Sequence, residues 1–504
     1  MRRLTSAAAL LLAAMLAGCG ESNASSDAPR RLDLIIILDG LRPDYIGQAM
    51  PTLTALGRRG VVMRSHHAVY PTVTRVNAAS LSTGAYPQRH GLLGNAVYFP
   101  AVDETAFLDT SDRDNLLRIE AAGEPLLTAT TLGEALTGGG ARLLVASAGS
   151  AGSSYLLNHT PEGGAIIHYD YARPASLHAQ ALEVVGPVPE ADAPNWRRNR
   201  WVVDALLDVA MGEVDPDVVM LWLSDPDTTA HRYGMGHQLT SEALFYLDAE
   251  LDRIQARLSA EGRLDTTNIW VTSDHGFSEH TGAVDLDALL APFQGVLDDG
   301  TPRIVSGAGA VYVRDGDDAT VREIVDVLQR TEGVGALFTA PVNSGDDAGA
   351  MPGTLSFDVA RWGHARAAQV LYSADWTNQP GAYGFPGTSA QGGVAGHGTT
   401  SPFDIHNPLM AAGPDLKSGV IVDVPSSNVD LAPTLLHLRG IEAPASMDGR
   451  VLLEALDTGP DPGTVAVDVT QVRMSREDGA YAVTAATSSA DDATYLDFTV
   501  VERP

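Results

Sequence analysis

The stretch Leu32-Asp33-Leu34-Ile35-Ile36-Ile37-Leu38-Asp39 is an almost unbroken apolar run that ends at a carboxylate. Such a run predicts a strand over residues 32–38 that is buried on both faces, as in a parallel sheet covered by helices. Outward from it, further strands are predicted at residues 61–69, 142–146, 217–223 and 268–272, and helices at 45–59, 73–83, 126–136, 201–211 and 240–259. This alternation predicts an α/β fold with a mostly parallel central sheet.

The alternation weakens in the middle of the chain. Between residues 276 and 395, only a strand at 310–313 and a helix at 320–329 are predicted. We therefore predict an inserted cap region over 276–395, which divides a catalytic α/β core into residues 31–275 and 396–504. The second part of the core includes a helix at 428–436 and, from about residue 460, an acidic tail with edge strands.

The N-terminus has the pattern of a targeting segment. Met1-Arg2-Arg3 precedes a short apolar run, and Leu16-Ala17-Gly18-Cys19 matches the lipobox of a bacterial lipoprotein signal peptide over residues 1–19. Residues 20–30 then have the composition of a flexible tether. We expect an exported protein that is lipid-anchored through Cys19 to a bacterial membrane and faces the periplasm or the cell surface. Cys19 is the single cysteine, so a disulfide within the chain is excluded.

The overall charge limits the possible partners. The 504 residues carry 33 basic and 63 acidic side chains, a net charge of −30. Such an acidic surface argues against binding of a nucleic-acid duplex. It does not exclude a small anionic substrate, because bound divalent cations would reverse the potential locally.

Six potential metal ligands follow or end apolar runs. They are three aspartates and three histidines, namely Asp39, Asp227, His231, Asp274, His275 and His397. Open α/β sheets bind their ligands at such strand ends. Each position alone is also explained by a helix cap or a surface histidine. Together, with oxygen and imidazole ligands and no cysteine, they predict two zinc-like ions.

A threonine segment lies between these clusters. In Tyr70-Pro71-Thr72-Val73-Thr74-Arg75, we predict Thr72 as a nucleophile that needs activation by a base or a metal. A position at a helix start would also offer backbone N–H groups to a phosphoryl group. Alternatively Thr72 is only a helix cap, and Thr74 is a rival cap.

Two further side chains are candidates for contact with the substrate. Asn95 is a candidate donor to a phosphoryl oxygen or, alternatively, a turn residue. Arg75 is either an anion contact or a surface charge.

In combination these motifs resemble the type I phosphodiesterase/nucleotide pyrophosphatase branch of the alkaline phosphatase superfamily, through nearly all of residues 32–450. The resemblance implies an alkaline-phosphatase-like three-layer sandwich and two Zn²⁺ sites, although other divalent ions also fit. One site would use Asp227, His231 and His397. The other would use Asp39, Asp274 and His275, with the Thr72 oxygen also bound.

The implied reaction is hydrolysis of a phosphodiester or pyrophosphate bond in a small phosphate ester through a covalent phospho-threonine, with Asn95 holding an oxygen. Two differences from related sequences bear on which substrate is expected. Val73 and Arg75 stand where many relatives have an aromatic residue. Residues 145–150 lack the basic pair of monoesterase and phosphonoacetate hydrolase relatives, which favours a diester. A phosphomonoesterase, a phosphonate hydrolase and a non-catalytic binding lipoprotein remain the alternatives.

Overall fold

The computed structural model describes residues 30–504. The predicted signal peptide with Cys19, and the predicted tether up to residue 29, lie outside the described residues. Within the described part, no helix is both long enough and apolar enough to cross a membrane.

The largest sheet has nine strands and contains the strand predicted at residues 32–38. Across the sheet the strands are Val420–Val422, Val61–Met63, Leu409–Ala412, Thr267–Thr272, Leu32–Leu38, Val218–Leu223, Leu143–Ser147, Ala165–His168 and Ala172–Arg173. Leu32–Leu38 is parallel to both of its neighbours. Antiparallel pairing occurs at Leu409–Ala412 and at Ala172–Arg173. The predicted α/β class with a mostly parallel sheet is confirmed.

Helices cover both faces of this sheet because its strands are apolar on both faces. Ile35 and Ile37 pack into one hydrophobic cluster, and Ile36 and Leu38 into another on the opposite face. The first face carries Thr74–Thr83, Arg113–Ala121, Leu132–Gly138, Ala151–Leu157 and Leu431–Leu438. The second face carries Pro51–Arg59, Ala175–Val184, Trp196–Ala205 and Gln238–Ala260. The result is the predicted three-layer sandwich.

The region predicted as a cap has its own sheet and hydrophobic cluster. Its five strands are Ile304–Gly307, Ala310–Val313, Val370–Ala374, Val334–Thr339 and Leu355–Ser356, and helix Asp318–Arg330 packs on them. A four-stranded sheet contains Trp376–Pro380, Pro386–Ser389, Ser278–His280 and Ala395–Gly396. In it Ser278 pairs with Gly396, so the chain returns from the insertion beside the point where it left.

The C-terminal tail forms a separate antiparallel sheet instead of edge strands of the central sheet. Its strands are Val467–Ser475, Ala482–Ala490 and Ala493–Glu502. Tyr481, Val483 and Ala485 pack in the hydrophobic cluster of the cap. The tail is therefore packed against the insertion, although residues 396–504 were grouped with the catalytic core in the sequence-based division.

Some element boundaries differ from the predicted ones for local reasons. The helix expected at 45–59 begins at Pro51, because proline disfavours a helical conformation in the preceding residue. The helix expected at 126–136 begins at Leu132, after a capping box formed by Thr131 and Glu134. The strand expected at 61–69 is split into Val61–Met63 and His66–His67, which belong to different sheets.

Candidate two-metal site

The three predicted aspartates meet at one edge of the central sheet. Leu38 is in register with Leu223, and Ile37 with Thr272, so these three strands end side by side. Asp39 follows the first strand directly, and Asp274 lies two residues beyond Thr272. Asp227 begins the helix Asp227–Tyr233, and its N–H donates to the Asp39 carbonyl at 3.0 Å.

A glycine allows this close approach. Gly40 has φ +71°, and a Cβ on it would lie 3.0 Å from Asp227 Cβ. Any other residue would be strained there, and its Cβ would press against Asp227.

The first group of ligands, which we call the outer triplet, consists of Asp227, His231 and His397. Asp227 Oδ1 lies 3.1 Å from His231 Nε2 and 3.4 Å from His397 Nε2. The His231 side chain is 43% exposed. The spacing of four residues places Asp227 and His231 on one face of helix Asp227–Tyr233. His397 comes from the chain that returns from the insertion.

The second group, which we call the buried triplet, consists of Asp39, Asp274 and His275. His275 Nε2 lies 3.0 Å from Asp274 Oδ2 and 3.7 Å from Asp39 Oδ1. Asp274 and His275 are 0% exposed and Asp39 is 5% exposed. The rings of His275 and His397 stack with their centroids 3.4 Å apart, so the two triplets are adjacent. The six side chains thus lie in the two groups that the family resemblance implies.

All three histidines are held in the same way. The Nδ1 atoms of His231, His275 and His397 contact the backbone carbonyls of Ala395, Gly276 and Thr72 at 2.8–2.9 Å. A carbonyl accepts a proton, so Nδ1 carries the hydrogen and Nε2 keeps its lone pair. That tautomer is the one that binds a metal through Nε2.

The carboxylates present free oxygens to the same spaces. Asp39 Oδ1, Asp227 Oδ1 and Asp274 Oδ2 are buried and have no hydrogen-bond partner among the described residues. The second oxygens of Asp39 and Asp274 are held by hydrogen bonds. Asp39 Oδ2 accepts from Trp222 Nε1 at 3.0 Å, and Asp274 Oδ1 accepts from the Gly40 N–H at 3.1 Å. Buried unpartnered carboxylate oxygens are unfavourable unless a cation is bound. The residues therefore fit two divalent ions.

The electrostatics differ between the triplets. Burial, and next the Asp274 and Asp227 carboxylates, raise the pKa of Asp39 well above its usual value. Burial acts to raise the pKa of Asp227 as well, but His231 and His397 lower it overall. Burial and the neighbouring His275 lower the pKa of His397. A concentration of like charge around Asp39 is what a bound cation would neutralise.

The structure distinguishes the two threonines. The Thr72 hydroxyl donates to the Thr399 carbonyl at 2.8 Å and accepts from the Gly398 N–H at 3.1 Å. Thr74 is the first residue of helix Thr74–Thr83, and its Oγ1 lies 3.3 Å from His275 Nε2. Thr74, which the sequence analysis treated as a rival cap, is therefore the threonine in contact with the buried triplet.

Asn95 and Arg75 lie beside this helix start. Asn95 Oδ1 accepts from the Arg75 backbone N–H at 3.0 Å. Arg75 is half-buried, its Nε has no hydrogen-bond partner among the described residues, and its charge interacts with Asp109, Asp39, Asp227 and Asp274. Burial nevertheless lowers the pKa of Arg75 from its usual high value. Of its two sequence-based interpretations, the structure favours the one that places Arg75 at the site.

A cavity of about 340 Å³ opens between the core and the cap at this point. From the core, Val73, Asn95, His397 and Gly398 line it, and from the cap Leu371 and Tyr372. The sequence did not predict that Trp222 donates to Asp39 or that Gly40 allows the close approach of Asp227. A tryptophan within an apolar strand and a glycine just after such a strand are common in any α/β fold.

A three-layer α/β fold with His/Asp triplets at its strand ends is typical of metal-dependent hydrolases. The chain belongs to the type I phosphodiesterase/nucleotide pyrophosphatase family, whose family model matches residues 34–382. This confirms the resemblance found in the sequence.

Two curated relatives illustrate the similarity. Venom phosphodiesterase 2 of Crotalus adamanteus is 27% identical over 252 residues, which are 49% of this chain and 27% of that protein. The bis(5'-adenosyl)-triphosphatase ENPP4 of Bos taurus is 25% identical over 299 residues, 58% of each chain. The match thus spans less than two thirds of the length of either relative.

Among solved structures, murine ectonucleotide pyrophosphatase/phosphodiesterase 5 superposes with a TM-score of 0.58 at 16% identity, covering 85% of this chain and all of that one. An inactive variant of the same murine protein, with a threonine replaced by alanine, was solved in complex with AMP and superposes equally well. These matches show a shared fold.

Proposed function

We propose that this protein hydrolyses phosphodiester or pyrophosphate bonds in small nucleotide-like substrates at two zinc ions. The observation that carries the proposal is the set of three unpartnered carboxylate oxygens facing histidine Nε2 atoms in two adjacent triplets. Asp227, His231 and His397 would hold one ion, and Asp39, Asp274 and His275 the other. When bound, the two ions would supply Lewis-acid stabilisation of charge on the reacting oxygens.

We further propose Thr74 as the nucleophile in place of Thr72. Its hydroxyl already contacts the buried triplet through His275, whereas both hydrogen-bonding functions of the Thr72 hydroxyl are used by Thr399 and Gly398. Thr74 Oγ1 would lose its proton to solvent and form a bond to phosphorus as the bond to the leaving oxygen breaks. The leaving group would depart with that oxygen and take up a proton from solvent. Water would then hydrolyse the phospho-threonine and regenerate the hydroxyl.

The residues around Thr74 favour binding of an anion. Helix Thr74–Thr83 begins there, so its free N–H groups and the positive end of its dipole point to the phosphoryl position. Asn95 is held beside this helix start by the Arg75 N–H and would donate to a non-bridging oxygen. The Arg75 guanidinium, with a free Nε, would make a further charge-assisted contact.

The cavity supports a small leaving group. Its lining is mainly small or aromatic, and it opens to Asn95 and His397. A nucleotide product has a precedent in the AMP complex of the murine structural relative. The absence of a basic pair at residues 145–150 continues to favour a diester over a monoester.

The test is a paired assay of the zinc-supplemented protein with bis-p-nitrophenyl phosphate and p-nitrophenyl phosphate. We expect the higher kcat/KM for the diester. Arg75→Gln should lower it about 10-fold or more while leaving bound zinc unchanged, since a hydrogen bond to a charged group contributes about 1.5–3 kcal/mol.

A higher kcat/KM for the monoester would instead establish the phosphomonoesterase alternative. Turnover of neither substrate by protein that binds zinc would point to the non-catalytic alternative. Binding of fewer than about one zinc ion per chain would rule out the two-metal mechanism.

A further inference from the structure

A third His/Asp cluster lies outside the two catalytic triplets and shares no residue with them. It consists of His67, His406 and Asp497, and one ligand atom from each lies within 4.8 Å of the others. His67 Nε2 is 2.8 Å from Asp497 Oδ1, and the ring centroids of His67 and His406 are 4.6 Å apart. We call this group the tail cluster, because Asp497 belongs to the C-terminal sheet.

Each member is placed by its local backbone. His67 lies on the two-residue strand His66–His67, paired with Ser426–Ser427. His406 follows helix Pro402–Ile405 and forms an isolated bridge with His67.

Asp497 is placed by an irregularity of the tail sheet. Ala486 pairs with Phe498 but Thr487 pairs with Leu496, so Asp497 is the extra residue of a β-bulge. Bulges redirect a side chain at a chosen point of a strand. Here the bulge brings the carboxylate to His67.

The hydrogen bonding at His67 repeats that of the catalytic histidines. His67 Nδ1 contacts the Ser426 carbonyl at 2.8 Å, and Nε2 faces a carboxylate. Both ring nitrogens thus face acceptors, whereas a neutral imidazole has a single N–H. A metal ion beside this pair, bound by Nε2 and the Asp497 carboxylate, would satisfy both atoms without a second N–H on the ring.

The surroundings favour the cation. The His406 ring, whose centroid is 4.6 Å from that of His67, offers a second imidazole nitrogen within 4.8 Å of the other two ligand atoms. Ser488 Oγ donates to Asp497 Oδ1 at 2.8 Å and holds the carboxylate in place. Two imidazoles and a carboxylate are a ligand set that suits zinc.

We propose that His67, His406 and Asp497 form a third zinc site, which ties the C-terminal sheet to the catalytic core. Of the three side chains, His67 lines a cavity of about 500 Å³. The site would have three protein ligands and, in the fourth position, a water. Because the site shares no ligand with the catalytic triplets, it stands or falls independently of the proposed hydrolysis.

The experiment is zinc analysis by mass spectrometry on the full chain and on Asp497→Asn. The matched control is Asp491→Asn, which makes the same change on an exposed residue in the turn between two strands of the same sheet. We expect three zinc ions per chain in the unmodified protein and in the control, and one fewer in Asp497→Asn. Hydrolysis of bis-p-nitrophenyl phosphate should be unchanged in all three.

Equal zinc content in Asp497→Asn and in the control would overturn the proposal and leave a plain imidazolium–carboxylate pair. Anomalous scattering at the zinc edge from crystals of the unmodified chain gives an answer even if the variant does not fold. A peak between the three side chains is expected, and its absence in zinc-containing crystals would overturn the proposal.

Discussion

The buried triplet and the outer triplet are neighbours, but they are built differently. The buried triplet has two carboxylates and one imidazole, and none of its side chains is more than 7% exposed. The outer triplet has one carboxylate and two imidazoles, and the His231 side chain is 43% exposed. One site therefore concentrates negative charge away from water, and the other is open to it.

The difference follows from the elements that hold the ligands. Asp39, Asp274 and His275 lie at or just beyond the ends of adjacent parallel strands, so the register of the sheet alone brings them together. His397 reaches the outer triplet only because the chain returns from the insertion against Ser278–His280. A Cβ on Gly396 would lie 3.0 Å from His231 Cε1, so this return is tightly packed. The buried site depends on the core, and the outer site depends on the cap as well.

The largest expected effect concerns the threonine associated with each triplet. Thr74→Ala removes the hydroxyl beside His275 and should lower kcat at least about 10³-fold with zinc retained, as for loss of a nucleophile. Thr72→Ala should lower it less than about 10-fold, because the Thr72 carbonyl that holds His397 belongs to the backbone and remains. Steady-state kinetics on zinc-loaded protein measures both.

Thr74→Ser provides the control for this pair, since it keeps a hydroxyl and should restore part of the activity. The reverse order, with Thr72→Ala the more damaging variant, would return the nucleophile to the position first predicted from the sequence.

The next largest expected effect is a difference between the two triplets in how far added zinc restores the activity of a ligand variant. Asp274→Asn leaves a buried site short of a charged ligand, and we expect a loss in kcat/KM of more than about 100-fold that added zinc does not rescue. His231→Gln alters an exposed position that water is able to fill, so excess zinc should recover much of the loss. Titration of activity with zinc compares the two variants. Equal recovery of kcat/KM by zinc in the two variants would contradict the prediction that burial makes the loss of a ligand harder to compensate.

The smallest effect is a pH dependence that arises from the buried triplet. In the metal-free protein the pKa of Asp39 is raised, so its protonated form stabilises the fold at low pH. That contribution is complete below about pH 3.9, the unfolded value, and is lost as pH rises through the raised pKa. Bound zinc would offset the stability lost when Asp39 ionises. The rise in Tm on adding zinc should therefore be larger at pH 8 than at pH 5, by about 2 °C or more.

Calorimetry with and without zinc measures this gain. In the metal-free protein, Asp39→Asn removes the titrating group and should flatten the dependence of Tm on pH. A gain that does not vary with pH in the unmodified protein would contradict the assignment of a raised pKa to Asp39.

Much of the fold was predictable because apolar strands carry their own signal. The strands expected at 32–38, 217–223 and 268–272 are found at Leu32–Leu38, Val218–Leu223 and Thr267–Thr272. The positions of the aspartates relative to these strands then located the two His/Asp triplets, since parallel strands end at one edge.

Local ambiguity limited the rest. In Thr72-Val73-Thr74 the two threonines are equivalent by pattern, and the choice between them depends on where the helix begins and on the contacts of Thr72 with residues 398–399. The tail cluster was beyond sequence reasoning, because 430 positions separate His67 from Asp497 and a bulge sets the direction of Asp497.

By itself, the sequence determined the α/β class, the family and the six candidate ligands, because hydrophobic period and residue chemistry are local properties. The tertiary structure decided which histidine Nε2 atoms face which carboxylates, which threonine hydroxyl approaches them and where the tail packs. Those are distances between residues far apart in the chain, and only the packed sheet, the returning insertion and the bulge of the C-terminal sheet set them.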